Sequence, residues 1–196
     1  MGAKAEAFCL VSNWAIDATR REVLAIMREP LSLASWWSSV FLRAELIEPG
    51  GPDLLGLTVR LHTKGLLPHT FQFTARIAHV DRHGALSIDT WGDFEGVGTV
   101  ELSRAASGMA IGIVWQVRVR QPYLRPFLRL LKPVFAANHR WAMRRGREGL
   151  EAEIRRRRQG IAVRPGMTWQ TPTFPHNLDV MRRMFRWTRD AVRWSC

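Results

Sequence analysis

A chain of 196 residues that is 46% hydrophobic with a formal net charge of +12 has the length to bury one core and needs no second domain. No run of about 18 uncharged apolar residues occurs, so no spanning helix is predicted; the N-terminus also lacks the apolar core of a signal peptide, and cytoplasm is the expected location. Cys9 and Cys196 stand far apart without metal-like spacing and support neither a disulfide framework nor a zinc site.

Nine Trp and nine Phe are enough to line a cavity as well as a core. The charge is unevenly placed, since residues 1 to 117 sum to −2 and residues 118 to 196 to +14. That asymmetry is read either as attraction to an acidic surface or as a solvated basic face.

Phe8 to Ile16 alternates as a first strand, with Phe8, Leu10, Ser12, Trp14 and Ile16 on one side. Asp17 or Thr19 then caps a helix; Thr19 with Glu22 makes a capping-box pattern, Val23, Ile26 and Met27 give the buried face, and Pro30 ends it. A second short helix is predicted from Pro30 to about Trp37, where Leu31, Leu33, Trp36 and Trp37 are apolar enough to close one end of the core. The period then changes to two. Six strands are predicted at about Arg43–Glu48, Leu57–Lys64, His69–Asp81, Ala85–Trp91, Gly98–Arg104 and Met109–Val119, separated by Gly- and Pro-rich turns. Their short connections predict a meander whose inner face carries Phe71, Phe73, Ala75 and Ile77 on one strand and Met109, Ile111, Ile113, Trp115 and Val117 on the last.

A long helix follows, predicted from Tyr123 to Arg158 with a ragged start or kink near Lys132 because Pro126 and Pro133 each lack an amide donor. Ala136, His139, Met143, Gly146, Leu150 and Ile154 form its apolar stripe, and Gly160 is the natural stop. Gly146 and Gly149 cost helix stability, which implies either close approach of helix to sheet or room for a ligand. Residues 159 to 196 read as a Pro-containing linker and then a basic amphipathic helix over 177 to 194, with Arg182, Arg186, Arg189 and Arg193 on one side. This helix is expected to meet an anionic membrane surface, the domain itself or a second copy of the chain.

The predicted class is α+β, a curved antiparallel sheet of about seven strands wrapped around a long C-terminal helix, with a domain over 1 to 158. This order, together with Trp36-Trp37, Glu48-Pro49-Gly50, Thr63-Lys64-Gly65, Leu67-Pro68, the Gly92 to Gly98 segment, Trp115, and Asn138-His139 with Trp141 and Gly146, resembles the polyketide cyclase/dehydrase and lipid-transport proteins of the START-like superfamily. The resemblance covers about residues 5 to 157. It implies a helix-grip fold and a hydrophobic cavity between sheet and helix; members range from cyclases and dehydratases to carriers.

By position, the lining of such a cavity is expected to include Trp37, Phe41, Phe71, Phe73, Trp91, Trp115, His139 and Met143, residues that also serve as core. Burial would keep His139 neutral and available as a base, or simply leave it bonded to a backbone carbonyl. Asp93 and Glu95 stand two apart in a Gly-rich connection, either as an acid/base pair at the cavity mouth or as solvated turn residues. Lys64 and His69 flank a sheet-end turn where a rim Lys could receive an anionic head group. No phosphate loop, metal-ligand cluster or nucleophile pattern is present, so no cofactor or metal is expected. A carrier or sensor of a hydrophobic, lipid- or polyketide-like molecule is the favoured function because the inward faces are so apolar; a cyclase or dehydratase in the same cavity is the alternative, and nucleic-acid binding is not expected.

Overall fold

The computed structural model describes residues 7–66, 69–82, 84–119 and 128–162. Strict alternation makes Ala7–Ile16 a strand, β1. Thr19 ends it as a helix cap: its hydroxyl accepts from the Glu22 amide while the Glu22 carboxylate accepts from the Thr19 amide, which satisfies donors the first turn would otherwise leave open. Helix α1 (Arg20–Met27) buries Val23 and Ile26. A 3₁₀ turn (Pro30–Ser32) and the single turn α2 (Leu33–Trp36) follow. Trp36 and Trp37 pack on the core as expected, but Leu31 does not; it is 51% exposed because the tight turn points it outward.

Six more strands run in meander: β2 (Phe41–Glu48), β3 (Thr58–Lys64), β4 (Thr70–Val80), β5 (Leu86–Gly92), β6 (Phe94–Ala105) and β7 (Gly108–Val119). The sheet is antiparallel throughout, in the order β1-β7-β6-β5-β4-β3-β2, so β1 closes against the last strand and β2 lies at the far edge. The expected Asp93 to Gly96 connection is shorter than the sequence suggested: the β5–β6 ladder closes at Thr90 and Gly96, but Trp91 and Gly92 continue against β4 while Phe94 and Glu95 pair with β7, and Gly92 and Gly96 take positive φ on either side of the turn.

Helix α3 (Leu128–Arg158) carries Pro133 inside its first turns and crosses the concave face. Met143, Leu150 and Ile154 are buried there in one cluster with Trp14, Ile16, Ile111 and Ile113. The architecture is therefore a helix-grip arrangement of class α+β, and among the described residues no helix is long and apolar enough to cross a membrane.

The two helix glycines have a specific partner. A Cβ at Gly146 would overlap the Trp37 indole, and one at Gly149 would run into the Trp36 carbonyl oxygen. Close approach is thus the reason for both, and the element approached is α2 with its following residue rather than the sheet. Trp37 is held from every side: it stacks on Trp36, meets Trp14 and Phe41 edge-on, and donates Nε1–H to the Ala142 carbonyl at 3.1 Å.

At its far end α3 is strapped to α1. Arg158 meets Glu22 at 2.7 Å, Arg157 meets Glu29 at 2.6 Å, and both Arg156 and Arg157 reach the buried Glu153. Part of the basic run is therefore consumed inside the domain rather than offered to a partner.

Candidate functional site in the helix grip

The concave face divides into two ends. At the α2 end, Trp37 and Phe41 are committed to packing with Trp14, Trp36 and α3. At the other end, the period-two faces of three strands and one helical residue assemble an aromatic clasp. Phe71 lies 4.4 Å from Phe94, Phe73 lies 5.4 Å from Phe94, and Phe8 meets Phe135 of α3 edge-on at 5.8 Å. His69 packs edge-on against Phe71 at 4.3 Å. Trp115 lies half-buried on β7, its ring spread over Gly98 of β6, where any side chain would collide with it.

Between the two ends stand His139 and Met143, one turn apart on α3. Met143 is buried in the main cluster. Among the described residues the partner of His139 is a side chain: its Nε2 lies 3.1 Å from Ser12 Oγ of β1. Burial holds its pKa below the ordinary histidine value, because a charged imidazolium would lose hydration that this wall does not replace. The ring is neutral at pH 7. Its neighbour Asn138 ties the end of β3 to α3, accepting the Leu66 amide at 2.6 Å.

Several expected site residues are not brought together. Trp91 is 45% exposed and pairs with Thr74 on the convex face, because Leu86, Ile88 and Thr90 take the inward positions of β5 and the pleat turns Trp91 out. Glu95 is turned out by the same alternation and stands in register with Arg118. Asp93 extends the β4 ladder, its carboxylate accepting the Gln72 amide at 2.7 Å while its own amide donates to the Gln72 carbonyl. The expected convergence of His139 with Asp93 and Glu95 therefore does not occur. Lys64 falls on the outward parity of β3, since Val59, Leu61 and Thr63 face in.

Ser12, Phe8, Phe94 and Phe135 are the members that motif reasoning passed over. The available signal was Ser12 itself, one hydroxyl on a strand face otherwise composed of Phe8, Leu10, Trp14 and Ile16. Phe94 was hidden by a connection drawn too long. Two hollows of the surface lie elsewhere: one of about 130 Å³ between α1 and α3, floored by Ala25, Ile26 and Ile154, and one of about 220 Å³ on the convex side, among Arg43, Glu45, Arg60 and Gln72. Among the described residues no group of three or more His, Cys, Asp or Glu is placed to hold a metal.

The model of the family described as "Polyketide cyclase / dehydrase and lipid transport" matches residues 9–155. No curated protein matches the chain. Among solved structures, the ZhuI aromatase/cyclase from Streptomyces sp. R1128 superposes with TM-score 0.57 at 13% identity, covering 80% of this chain and 100% of that one. Norcoclaurine synthase from Thalictrum flavum, in complex with a transition-state analogue, gives TM-score 0.55 at 14% identity, covering 80% and 99%. A protein from Thermus thermophilus gives TM-score 0.57 at 15% identity, covering 74% and 96%. At these identities the structures speak for the fold, and the family model spans most of the chain and every element that builds the grip except the first two residues of β1 and the last three of α3. The chain belongs to the polyketide cyclase/dehydrase and lipid-transport family.

Proposed function

We propose that this chain binds a hydrophobic small molecule between the concave sheet face and α3, in the clasp formed by Phe8, Phe71, Phe94, Phe135 and Trp115. The observation that carries this reading is an aromatic wall drawn from three strands and one helix, with Trp115 packed on the adjoining main cluster and the charged candidates Asp93, Glu95 and Lys64 directed elsewhere. A ligand must part contacts such as Phe8 with Phe135, so entry is coupled to movement of α3 or of the rings themselves. Burying about 300 Å² of ligand surface at about 25 cal/mol per Å² gains about 7 kcal/mol before ordering costs. Since 1 μM corresponds to about 8 kcal/mol, those costs put the expected affinity weaker than micromolar.

The test is titration with an uncharged apolar fluorophore, N-phenyl-1-naphthylamine, against wild type and Trp115→Ala. Truncating this partly buried ring costs stability, up to about 3 to 5 kcal/mol, so the two proteins are compared at equal folded fraction. A weaker or altered probe signal in the folded variant supports the assignment; identical affinity removes Trp115 from the site.

A cyclase or dehydratase acting in the same place is the second reading. It is favoured by His139, a neutral imidazole on an inward face, which is the form a general base requires. It is opposed by the absence, among the described residues, of a second ionisable group shown converging on it. The carrier reading therefore stands first. The basic helix expected over 177 to 196, with its membrane or dimer contacts, lies outside the described residues.

A further inference from the structure

The sheet has two edges, and they differ in what they present. β1 runs from Ala7 to Ile16 without one charged residue, so it carries no charge that would select one pairing register over another. β2, at the far edge, carries Arg43, Glu45 and Glu48, and among the described residues β3 is its only strand partner. The β2–β3 ladder is interrupted between Phe41 and Arg43 and again between Leu46 and Glu48, which leaves Arg43 to Leu46 as a regular stretch. Bulges and charges normally protect an edge from open-ended pairing. Here they frame a short segment. Ala44 packs inward on the cluster of Val59, Leu61 and Ala75, which turns its neighbours Arg43 and Glu45 to the convex face. There Glu45 lies 2.7 Å from Arg43 and 3.4 Å from Arg60, and the Arg43 side chain is still 73% exposed. Leu46 and Ile47, next along the same edge, are large apolar residues left exposed.

We propose that the β2 edge is a self-pairing surface whose partner is a second copy of the chain, with the two β2 strands antiparallel about a two-fold axis through Ala44. Residues directly opposite in an antiparallel pair share a face of the sheet, so a two-fold axis normal to the sheet must pass through a residue and not between two. Charge then chooses which residue. An axis through Arg43 or Glu45 sets that charge opposite its own copy, which is destabilising. An axis through Leu46 leaves Arg43 and Glu45 facing no charge at all. The axis through Ala44 sets Arg43 of each copy opposite Glu45 of the other, twice over, and Leu46 opposite Leu42. A guanidinium has several donors and a carboxylate several acceptor sites, so each Glu45 can keep its own Arg43 and also receive that of the second copy. Such an isologous contact closes at two copies and leaves no β2 edge to recruit a third. Because the paired stretch is short, the association expected is weak, concentration-dependent and weakened by salt. It does not depend on what the concave face binds.

The experiment is sedimentation equilibrium of the full chain over a concentration series, for wild type, Arg43→Glu, Glu45→Arg and an equimolar mixture of the two variants. Wild type is expected to pass from monomer to dimer as concentration rises and to stop there. Either reversal alone sets like charges opposite each other at two places and should weaken the dimer about tenfold in Kd. The mixture should recover wild-type association, because each Glu then meets an Arg of the other copy. Within each variant strand positions 43 and 45 still carry like charges, so that recovery can come only from contact between copies. In wild type, deuterium exchange of the amides from Phe41 to Glu48 should slow as concentration rises while that of β1 does not, a readout that needs no variant to fold. A wild type that stays monomeric up to about 1 mM overturns the proposal. So does a dimer that both reversals leave intact, which would place the contact elsewhere on the chain, or a mixture that associates no better than its components. Growth beyond the dimer, or protection on β1 in place of β2, overturns it equally.

Discussion

Gly146 shows how one position can reverse an ordinary expectation. Replacing an interior helix glycine with alanine normally stabilises by about 1 kcal/mol, yet here the added Cβ would meet an indole that Trp14, Trp36, Phe41 and a bond to Ala142 prevent from yielding. Gly146→Ala is therefore expected to destabilise by about 1 to 3 kcal/mol, the usual cost of overpacking, as read from the urea midpoint; a midpoint that rises would show that the notch has slack. His139 gives a second expectation. Above its ordinary pKa of 6.5 the ring is neutral in folded and unfolded chains alike; as pH falls, the unfolded chain takes up the proton first because burial lowers the folded value. Stability should decline from about pH 6.5 downward until the folded ring also protonates. Urea midpoints measured between pH 7 and pH 5 should lose that component of slope in His139→Gln, and an unchanged slope would show that the ring is solvated. Sequence placed His139 on the inward stripe, since a helical period suffices for that. It could not supply Ser12 as its partner, because that pairing joins residues 127 apart and depends on how far α3 is inclined across the sheet.

At the scale of elements, the strap between α1 and α3 is a local cap turned into a long-range contact. Glu22 completes the capping box on Thr19 and also receives Arg158, whose hydrogen bond is the largest cause of a carboxyl pKa lowered to about 2. A depressed carboxyl pKa stabilises the fold above its ordinary value of 4.5 and loses that contribution as pH falls toward about 2. Acid unfolding of Glu22→Gln should accordingly show a flatter dependence between pH 4.5 and pH 2. Because the carboxylate is largely solvent-facing, added salt should shrink the difference between variant and wild type; a difference insensitive to salt would mean that the cap, and not the ion pair, dominates. The element order, the meander and the cap at Thr19 were legible because each is a local pattern of one period or one turn. The start of β6 was not. Gly92 to Gly98 reads as loop by composition, but glycines also permit the bulged, positive-φ backbone that lets a strand begin at Phe94.

At the scale of the molecule, the described core is complete by Ile154, which is 2% exposed and packs in the main cluster with residues of β1 and β7. A chain ending at residue 162 is therefore expected to unfold cooperatively and to bind the uncharged fluorophore as the full chain does. Calorimetry of the two forms checks this; a large fall in Tm on truncation would make the C-terminal residues part of the domain. The same truncation should abolish any vesicle binding that depends on anionic lipid, because the four arginines that sequence aligns over 182 to 193 would be gone.

The notch at Gly146 and Gly149 also sets where α3 can pivot. With backbone wedged against Trp36 and Trp37 and the far end strapped to α1, the helix behaves as a lever whose fulcrum is off-centre. Its other arm runs toward Phe135, about 16 Å away at about 1.5 Å per residue, and is tied on the way by His139 to Ser12 and by Asn138 to the Leu66 amide. A tilt of about 10° at the fulcrum sweeps the tip through about 3 Å while displacing Met143 by only about 1 Å. Opening the aromatic mouth by such a tilt therefore means parting those two bonds, while the buried half of the helix keeps its packing.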